Sequence, residues 1–311
     1  MRMPKKVKIR ELGPREGFQT LKQVVPTEAK LRLIEALSQT GVSCIELTSF
    51  VRPDRVPQMA DAADIVRDFV PVEGVQYTAL YLNPKGFVRA EETGRLNNDA
   101  WLYCSASRTF LERNNNTDHA SLVQQVPEWL EIFETAKRSL HGIMISTAFG
   151  CNYEGAIAGE VVLSTLSDIY QVVEARGHRP KEISLADTMG WAHPHAVHEL
   201  VHSVRKEFSG PQVSLHLHDT RGLGIACVYA GLELGVEIFE SSVAGMGGCP
   251  FAVGAAGNVA TEDVVHLCHS LGVETGISLQ KYVEAAKIAE EIVGIALPGK
   301  LYKTYSCNSR S

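Results

Sequence analysis

Strand-like apolar runs alternate with helical patterns along the sequence, and this alternation is what most constrains the fold. Eight runs have the length and composition of buried strands. They are Val7–Leu12, Ser43–Phe50, Val75–Leu82, Ala100–Ser105, Gly142–Ala148, Glu182–Ala186, Val213–His218 and Val236–Ser242. Between them, helical spacing is clearest over Thr27–Thr40, with Thr27 as the expected N-cap, and over Asp118–Leu140. The pattern predicts an α/β fold with a parallel sheet.

The number of repeats favours a (β/α)8 TIM barrel over an open, doubly wound sheet. An open sheet of that kind usually carries a GxGxxG phosphate loop after its first strand. Here the first strand is followed by Gly13-Pro14-Arg15-Glu16-Gly17, which does not match. After the eighth strand come the helical patterns Thr261–Leu271 and Leu279–Ile295. We therefore expect residues 1–311 to form one TIM-barrel catalytic domain, with 261–311 as a C-terminal helical appendix.

Composition and charge argue against several kinds of binding partner and environment. Of 311 residues, 45% are hydrophobic and 21% are charged, and the formal net charge is −6, which provides no basic surface for nucleic acid. The longest apolar runs are broken by polar residues, which argues against a membrane span. Seven cysteines in a chain of this length do not suggest a disulfide framework, and the basic N-terminus lacks the apolar stretch of a secretion signal. We expect a cytoplasmic protein that binds neither nucleic acid nor a membrane.

His216 and His218 are the most specific local signal for a metal site. Residues two apart on a strand point to the same face, so both imidazoles would meet at the barrel mouth if that face is the interior. The alternative is a hydrogen-bonded histidine pair in a polar layer of the barrel. Glu16 after the first strand and Asn258 after the eighth can each add an oxygen ligand. This donor set suits Mg²⁺ or Mn²⁺, and Zn²⁺ or Co²⁺ remains open.

Arg15 and Cys249 each allow two interpretations. An isolated loop arginine is most often a solvated surface group, but Arg15 follows a strand end and can supply fixed positive charge for a carboxylate or an enolate oxygen. Cys249 lies among glycines in Gly245–Pro250. It is either incidental to a turn or an acid/base thiol on a mobile lid.

Taken together, the motifs resemble the 3-hydroxy-3-methylglutaryl-CoA (HMG-CoA) lyase family, which belongs to the metal-dependent acyl-CoA and 2-oxoacid lyase/synthase superfamily. The resemblance extends from Val7 to about Leu279. Its clearest segments are Gly13–Gly17, Val25–Glu28, Glu46–Val51, Val56–Asp61, Gly150–Gly155, His216–Thr220, Ser241–Phe251 and Asn258–Asp263.

The resemblance implies a TIM barrel that cleaves a 3-hydroxyacyl-CoA into acetyl-CoA and an oxo acid, in the named case acetoacetate, by a retro-Claisen reaction. It also implies a role for each matching residue. A divalent metal would be held by Glu16, His216, His218 and Asn258. Residues matching the catalytic set are Arg15, Glu46, Cys249 and, as a possible base, His216. Residues matching the lining of the site are Glu11, Gln19, Asp187 and Thr188.

The chemistry fits these roles. A tertiary alcohol is a poor acid, so a metal must bind its oxygen and lower its pKa. Cys249 or His216 can then take the proton as a general base. Cleavage of the carbon–carbon bond places negative charge on the thioester oxygen, which Arg15 is suited to stabilise. Closure of the loop Gly245–Pro250 would keep water out.

The sequence departs from the family pattern at positions near the expected site. Glu16 stands where the family has Asp, which lengthens the ligand by one carbon–carbon bond. Arg221 replaces an aromatic residue, Leu223 replaces Gln, and Met144 stands where we expect a larger polar side chain. We therefore predict HMG-CoA or a close analogue as the substrate. The alternative is a related substrate with a different group at C3 or with an additional carboxylate that Arg221 binds.

Two other functions remain open at this point. A synthase would run the reaction in the condensing direction, although the homologous synthases usually carry further C-terminal domains. A non-catalytic barrel would retain only acyl-CoA or metal binding. The resemblance also implies a homodimer.

Overall fold

The computed structural model describes residues 3–247 and 257–305. Within them the chain divides into two compact units. We call Asp99–Phe239, together with Met3 and Pro4, the middle unit. We call Lys5–Asn98, together with the described residues from Glu240 onward, the terminal unit.

Eight strands follow the predicted runs closely, and a short hairpin adds two more. In chain order the strands are β1 (Lys8–Glu11), β2 (Cys44–Ser49), β3 (Gln76–Leu80), β4 (Ala100–Ser105), β5 (Leu140–Ser146), β6 (Gly150–Cys151), β7 (Gly155–Ala156), β8 (Glu182–Ala186), β9 (Gln212–His216) and β10 (Ile238–Ser241). The helices between and after them are α1 (Thr27–Ser38), α2 (Ala62–Asp68), α3 (Pro84–Glu92), α4 (Arg108–Phe110), α5 (His119–Thr135), α6 (Gly159–Ala175), α7 (Pro194–Glu207), α8 (Gly224–Glu233), α9 (Thr261–Ser270), α10 (Leu279–Val293) and α11 (Leu301–Thr304).

The strands within each unit are neighbours in a parallel sheet. In the terminal unit β1 pairs with β2 and β2 with β3, with Cys44 opposite both Arg10 and Gln76. In the middle unit the order is β9, β8, β5 and β4, all paired in parallel. Because the paired strands run parallel, their carboxyl ends within a unit lie at the same edge of the sheet.

The ends of two helices show how local chemistry sets their limits. The predicted N-cap at Thr27 is wrong, because Pro26 precedes the first helical residue and the Thr27 hydroxyl donates to Asp61 instead. At α5 the predicted start at Asp118 is confirmed, and the Asp118 carboxylate caps the helix by accepting from the Ser121 amide at 2.8 Å. That helix ends earlier than predicted because Lys137 has a left-handed backbone with φ +57°.

The C-terminal helices contribute to the core of the terminal unit. The buried apolar residues of α9 and α10 include Val264, Val265, Cys268, Tyr282, Val283, Ala285, Ala286 and Ala289. Helix α10 packs on α1, so the last described helices cover the first helix of the same unit. Among the described residues, no helix is both long and apolar enough to cross a membrane.

Candidate active site

The two predicted histidines lie together at the end of β9 in the middle unit. His216 is the last residue of the strand and His218 follows two residues later. Both are buried, with 7% and 4% of their surface exposed. Their Nε2 atoms are 3.1 Å apart. The predicted convergence of the two rings on one point is therefore confirmed.

The spacing of these nitrogens is compatible with a shared metal ion. Two imidazole nitrogens about 2.1 Å from one ion, at right angles, would be about 3.0 Å apart. The same spacing also allows a hydrogen bond between two neutral rings, because one N–H can donate to the other ring's bare nitrogen. The histidine pair is therefore a candidate half of a metal site.

Asp187 is a buried acidic residue whose carboxyl interacts electrostatically with the histidine pair. Its Oδ1 accepts hydrogen bonds from the amides of Trp191 at 2.7 Å and Ala192 at 3.0 Å. Burial raises the pKa of the Asp187 carboxyl, and the charges of His218 and His216 oppose that shift. The neighbouring Thr188 hydroxyl accepts from the amide of Thr147 at 2.9 Å.

Arg15 is held between two carboxylates in the terminal unit. It lies in the single turn Gly13–Gly17 that directly follows β1. Its guanidinium pairs with Glu16 at 3.2 Å and donates through Nε to Glu46 on β2. Burial raises the pKa of the Glu46 carboxyl, and the charge of Arg15 opposes that shift. These contacts fix the orientation of the guanidinium before any substrate binds.

Glu16 and Asn258 lie next to the same glycine in the terminal unit. Gly247 has φ +88°, and a Cβ there would lie 2.8 Å from Asn258 Nδ2 and 3.0 Å from Glu16 Cγ. A side chain at this position would thus be both strained and in contact with the two predicted ligands. Asn258 is 1% exposed and donates to the Met246 carbonyl at 3.1 Å. Its Oδ1 is buried and has no hydrogen-bond partner among the described residues.

An unsatisfied amide oxygen in the interior requires an explanation, because burial without a partner is costly. A cation bound at this oxygen would satisfy it, and amide and carboxylate oxygens are ligands that Mg²⁺ and Mn²⁺ accept. The residues of the terminal unit therefore fit the metal that the sequence predicts.

Glu11 is enclosed by donors from its own unit. Its carboxylate accepts from the amides of Gly13 at 2.6 Å and Val243 at 2.9 Å. It also accepts from the hydroxyls of Thr261 at 2.7 Å and Tyr282. These bonds join the turn after β1 to the segment after β10. The direct contact of Glu11 with substrate stays a prediction, as does that of Gln19, whose Oε1 is buried without a partner among the described residues.

Glu262 is a buried acid that the sequence did not single out. It is fully buried, and its Oε2 accepts from the amide of Ala244 at 3.0 Å. Ala244 has a left-handed backbone with φ 54°, which is rare for a residue with a Cβ. Burial raises the pKa of Glu262 to about 8. Glu262 thus supports the strained segment that leads toward Cys249, which itself lies outside the described residues.

The guanidinium of Arg221 forms hydrogen bonds and a ring contact with other residues of the middle unit. Its Nη1 donates to the carbonyls of Met189 at 2.6 Å and Gly190 at 2.8 Å. Its Nη2 donates to Asn152 at 3.2 Å, and its Cζ lies 4.6 Å from the centre of the Trp191 ring. Sequence reasoning missed Asn152 and Trp191, although both follow the ends of predicted strands.

A family model described as HMGL-like matches residues 6–289 of this chain. The chain belongs to the HMGL-like family. It is 40% identical over 282 residues to the mitochondrial hydroxymethylglutaryl-CoA lyase of Bos taurus, which covers 91% of this chain and 84% of that protein.

Solved structures extend the HMGL-like likeness to the whole fold. The HMG-CoA lyase of Bacillus subtilis has a TM-score of 0.90 and 36% identity, and the match covers 98% of this chain and 99% of that one. The HMG-CoA lyase of Acinetobacter baumannii, in complex with coenzyme A and 3-methylmalate, has a TM-score of 0.88 and 33% identity, with 99% and 97% covered. The family resemblance and the (β/α)8 fold class predicted from the sequence are confirmed.

Proposed function

We propose that this protein cleaves HMG-CoA into acetyl-CoA and acetoacetate in a reaction that depends on a divalent metal. The observation that carries the proposal is Arg15, whose guanidinium is fixed between Glu16 and Glu46 in the same unit as the unsatisfied Asn258 amide oxygen. A fixed cation is what a developing enolate needs, and an unsatisfied buried oxygen is what a metal ligand offers.

We propose that Glu16, His216, His218 and Asn258 together hold the ion, with Mg²⁺ or Mn²⁺ preferred over Zn²⁺ or Co²⁺. Two imidazoles with a carboxylate and an amide oxygen form a mixed donor set without thiolate, which favours the harder ions. When bound, the ion supplies a Lewis acid that lowers the pKa of the substrate's 3-hydroxyl.

The remaining steps of the reaction are assigned to residues of this chain. Cys249 takes the proton of the 3-hydroxyl as a general base, because in this proposal the acceptor nitrogen of His216 that faces His218 is used to hold the ion. The O–H electrons form the new carbonyl at C3, and the electrons of the C2–C3 bond pass to the thioester as an enolate. Arg15 donates hydrogen bonds to the enolate oxygen, and a proton delivered to C2 completes acetyl-CoA. Glu46 keeps the Arg15 guanidinium oriented through its hydrogen bond to Nε.

The substrate-lining roles are also proposals. Asp187 and Thr188 in the middle unit, and Gln19 and Glu11 in the terminal unit, would line the acyl group or support residues that do. The extra methylene of Glu16 relative to Asp is accommodated in this proposal by the space beside Gly247, where no side chain competes with it.

Incubation of the purified protein with HMG-CoA and Mn²⁺ or Mg²⁺ tests the function. We expect acetyl-CoA and acetoacetate in equal amounts, no product after chelation, and loss of product in His216→Ala. His195→Ala is the matched control, because His195 is an exposed histidine on α7. Metal-loaded protein without product would refute HMG-CoA as the substrate. Protein that binds no divalent ion would refute the metal-dependent reaction.

We further propose a cytoplasmic location and a homodimer. The five cysteines among the described residues are buried free thiols, which is compatible with a reducing compartment. Size-exclusion chromatography with light scattering tests the dimer.

A further inference from the structure

Three side chains from three successive loops of the middle unit meet at one point. Asn152 lies in the hairpin after β5, Trp191 in the loop after β8, and Arg221 in the loop after β9. We call these three residues the Trp191 clamp. Each of them contacts the other two.

Arg221 directs its donors to the loop after β8. One nitrogen donates to two successive carbonyls, those of Met189 at 2.6 Å and Gly190 at 2.8 Å. The other donates to Asn152 Oδ1 at 3.2 Å, and the guanidinium stacks on the Trp191 ring at 4.6 Å. A lysine has a single ammonium group instead of the planar guanidinium, so it cannot form these hydrogen bonds and stack on the ring at the same time.

Trp191 is also held by a hydrogen bond and by close packing. Its Nε1 donates to Asn152 Oδ1 at 2.8 Å, so one amide oxygen serves both Trp191 and Arg221. A Cβ on Gly150 would lie 2.5 Å from Trp191 Cγ, so only glycine admits the ring there. The ring is thus confined by close packing against Gly150 and by the guanidinium of Arg221.

The clamped loop carries the backbone groups that bind Asp187. The amides of Trp191 and Ala192 both donate to Asp187 Oδ1, at 2.7 Å and 3.0 Å. The amide of Asp187 donates in turn to the His216 carbonyl at 2.8 Å. A displacement of residues 189–191 would therefore move the two donors that orient the Asp187 carboxylate.

We propose that the Trp191 clamp positions Asp187 relative to the histidine pair, and that Arg221 acts through this loop as a positioning residue rather than by binding a substrate carboxylate. The inference rests on the proposed function for its effect on turnover, but its structural part does not. It revises the substrate-binding role that the sequence predicts for Arg221.

Two measurements on the intact protein test the clamp. The variants are Arg221→Gln, Asn152→Ala and their combination, with Arg205→Gln as the matched control. Arg205 is also exposed in the middle unit and donates to two successive carbonyls, those of Leu234 and Gly235, but it has no described contact with the loop after β8.

Hydrogen exchange reports the positioning directly. We expect the Trp191 and Ala192 amides to exchange about tenfold faster in Arg221→Gln, as loss of a net hydrogen bond would allow. The control Arg205→Gln is expected to leave them unchanged. Because this readout needs no substrate, it decides on the clamp even if the protein does not cleave HMG-CoA. Unchanged exchange in both clamp variants would overturn the proposal.

Steady-state kinetics with HMG-CoA report the consequence. We expect Arg221→Gln to lower kcat about tenfold with KM within about twofold of wild type. The combined variant is expected to be no worse than the more damaged single variant, because both changes release the same loop. A raised KM with unchanged kcat would overturn the proposal in favour of substrate recognition by Arg221. Failure of the wild type itself to turn over HMG-CoA would count against the proposed function and not against the clamp.

Discussion

Replacement of Glu262 by Gln is expected to change how the stability of the protein depends on pH. The carboxyl of Glu262 is fully buried, and burial raises its pKa from the ordinary 4.5 to about 8. Between these two values the unfolded chain has released the proton while the folded chain still holds it. The folded state is therefore favoured fully below the lower value, and this contribution is lost as the pH rises through the upper one.

The size of the effect follows from the two pKa values. For a single group titrating near 4.5 unfolded and near 8 folded, the free energy of unfolding falls by about 3 kcal/mol between about pH 5.5 and pH 8. Glutamine is neutral throughout and keeps an oxygen that can accept from the Ala244 amide, as Glu262 Oε2 does at 3.0 Å. Over the same pH range, the free energy of unfolding of Glu262→Gln should therefore fall by about 3 kcal/mol less than that of the wild type.

Urea unfolding at the two pH values, with equal m-values in both proteins, measures this difference. Glu284→Gln is the matched control, because Glu284 is an exposed carboxylate on α10. The reasoning fails if Glu262→Gln and wild type lose stability in parallel from pH 5.5 to pH 8.

Three further outcomes are expected. Arg15→Lys should lower kcat about 10²-fold to 10³-fold, because a single ammonium cannot pair with both carboxylates and face an enolate; an unchanged rate in the HMG-CoA assay would contradict this role. Asn258→Ala should weaken Mn²⁺ binding at least about tenfold in calorimetry, whereas equal affinity would remove Asn258 from the ligand set. Tyr282→Phe should lower the free energy of unfolding by about 1–3 kcal/mol, since the buried Glu11 carboxylate loses a donor; urea unfolding measures it, and an equal midpoint would refute it.

The strands were predictable because their signal is local. Buried parallel strands appear as short apolar runs, and all eight lie within a few residues of the predicted positions. Thr27 shows where local reasoning fails, since a preceding proline and a distant carboxylate, Asp61, determine what its hydroxyl does. His216 and His218 were predictable for the same reason as the strands, because alternation along the predicted strand Val213–His218 gives them a common direction.

The partners of the predicted residues were not predictable. Glu11 receives bonds from Thr261 and Tyr282, which are 250 and 271 residues away in sequence. Arg221 lies 69 residues from Asn152, and nothing in either local sequence indicates that they meet. The sequence identifies which residues carry reactive groups. The three-dimensional contacts decide whether a side chain such as Arg221 binds a ligand or holds another part of the protein in place.

The long separation between Glu11 and Tyr282 also constrains how the chain folds during synthesis. At about 5–20 residues per second, the 271 residues between them take roughly 10–50 s to leave the ribosome. During that time Glu11 on β1 lacks the hydrogen bond that the Tyr282 hydroxyl donates in the folded protein. The residues Asp99–Phe239 are synthesised earlier, as one continuous stretch. The buried site of Glu11 in the terminal unit therefore cannot be completed until α10 has been made, whereas every residue of Asp99–Phe239 is available long before that.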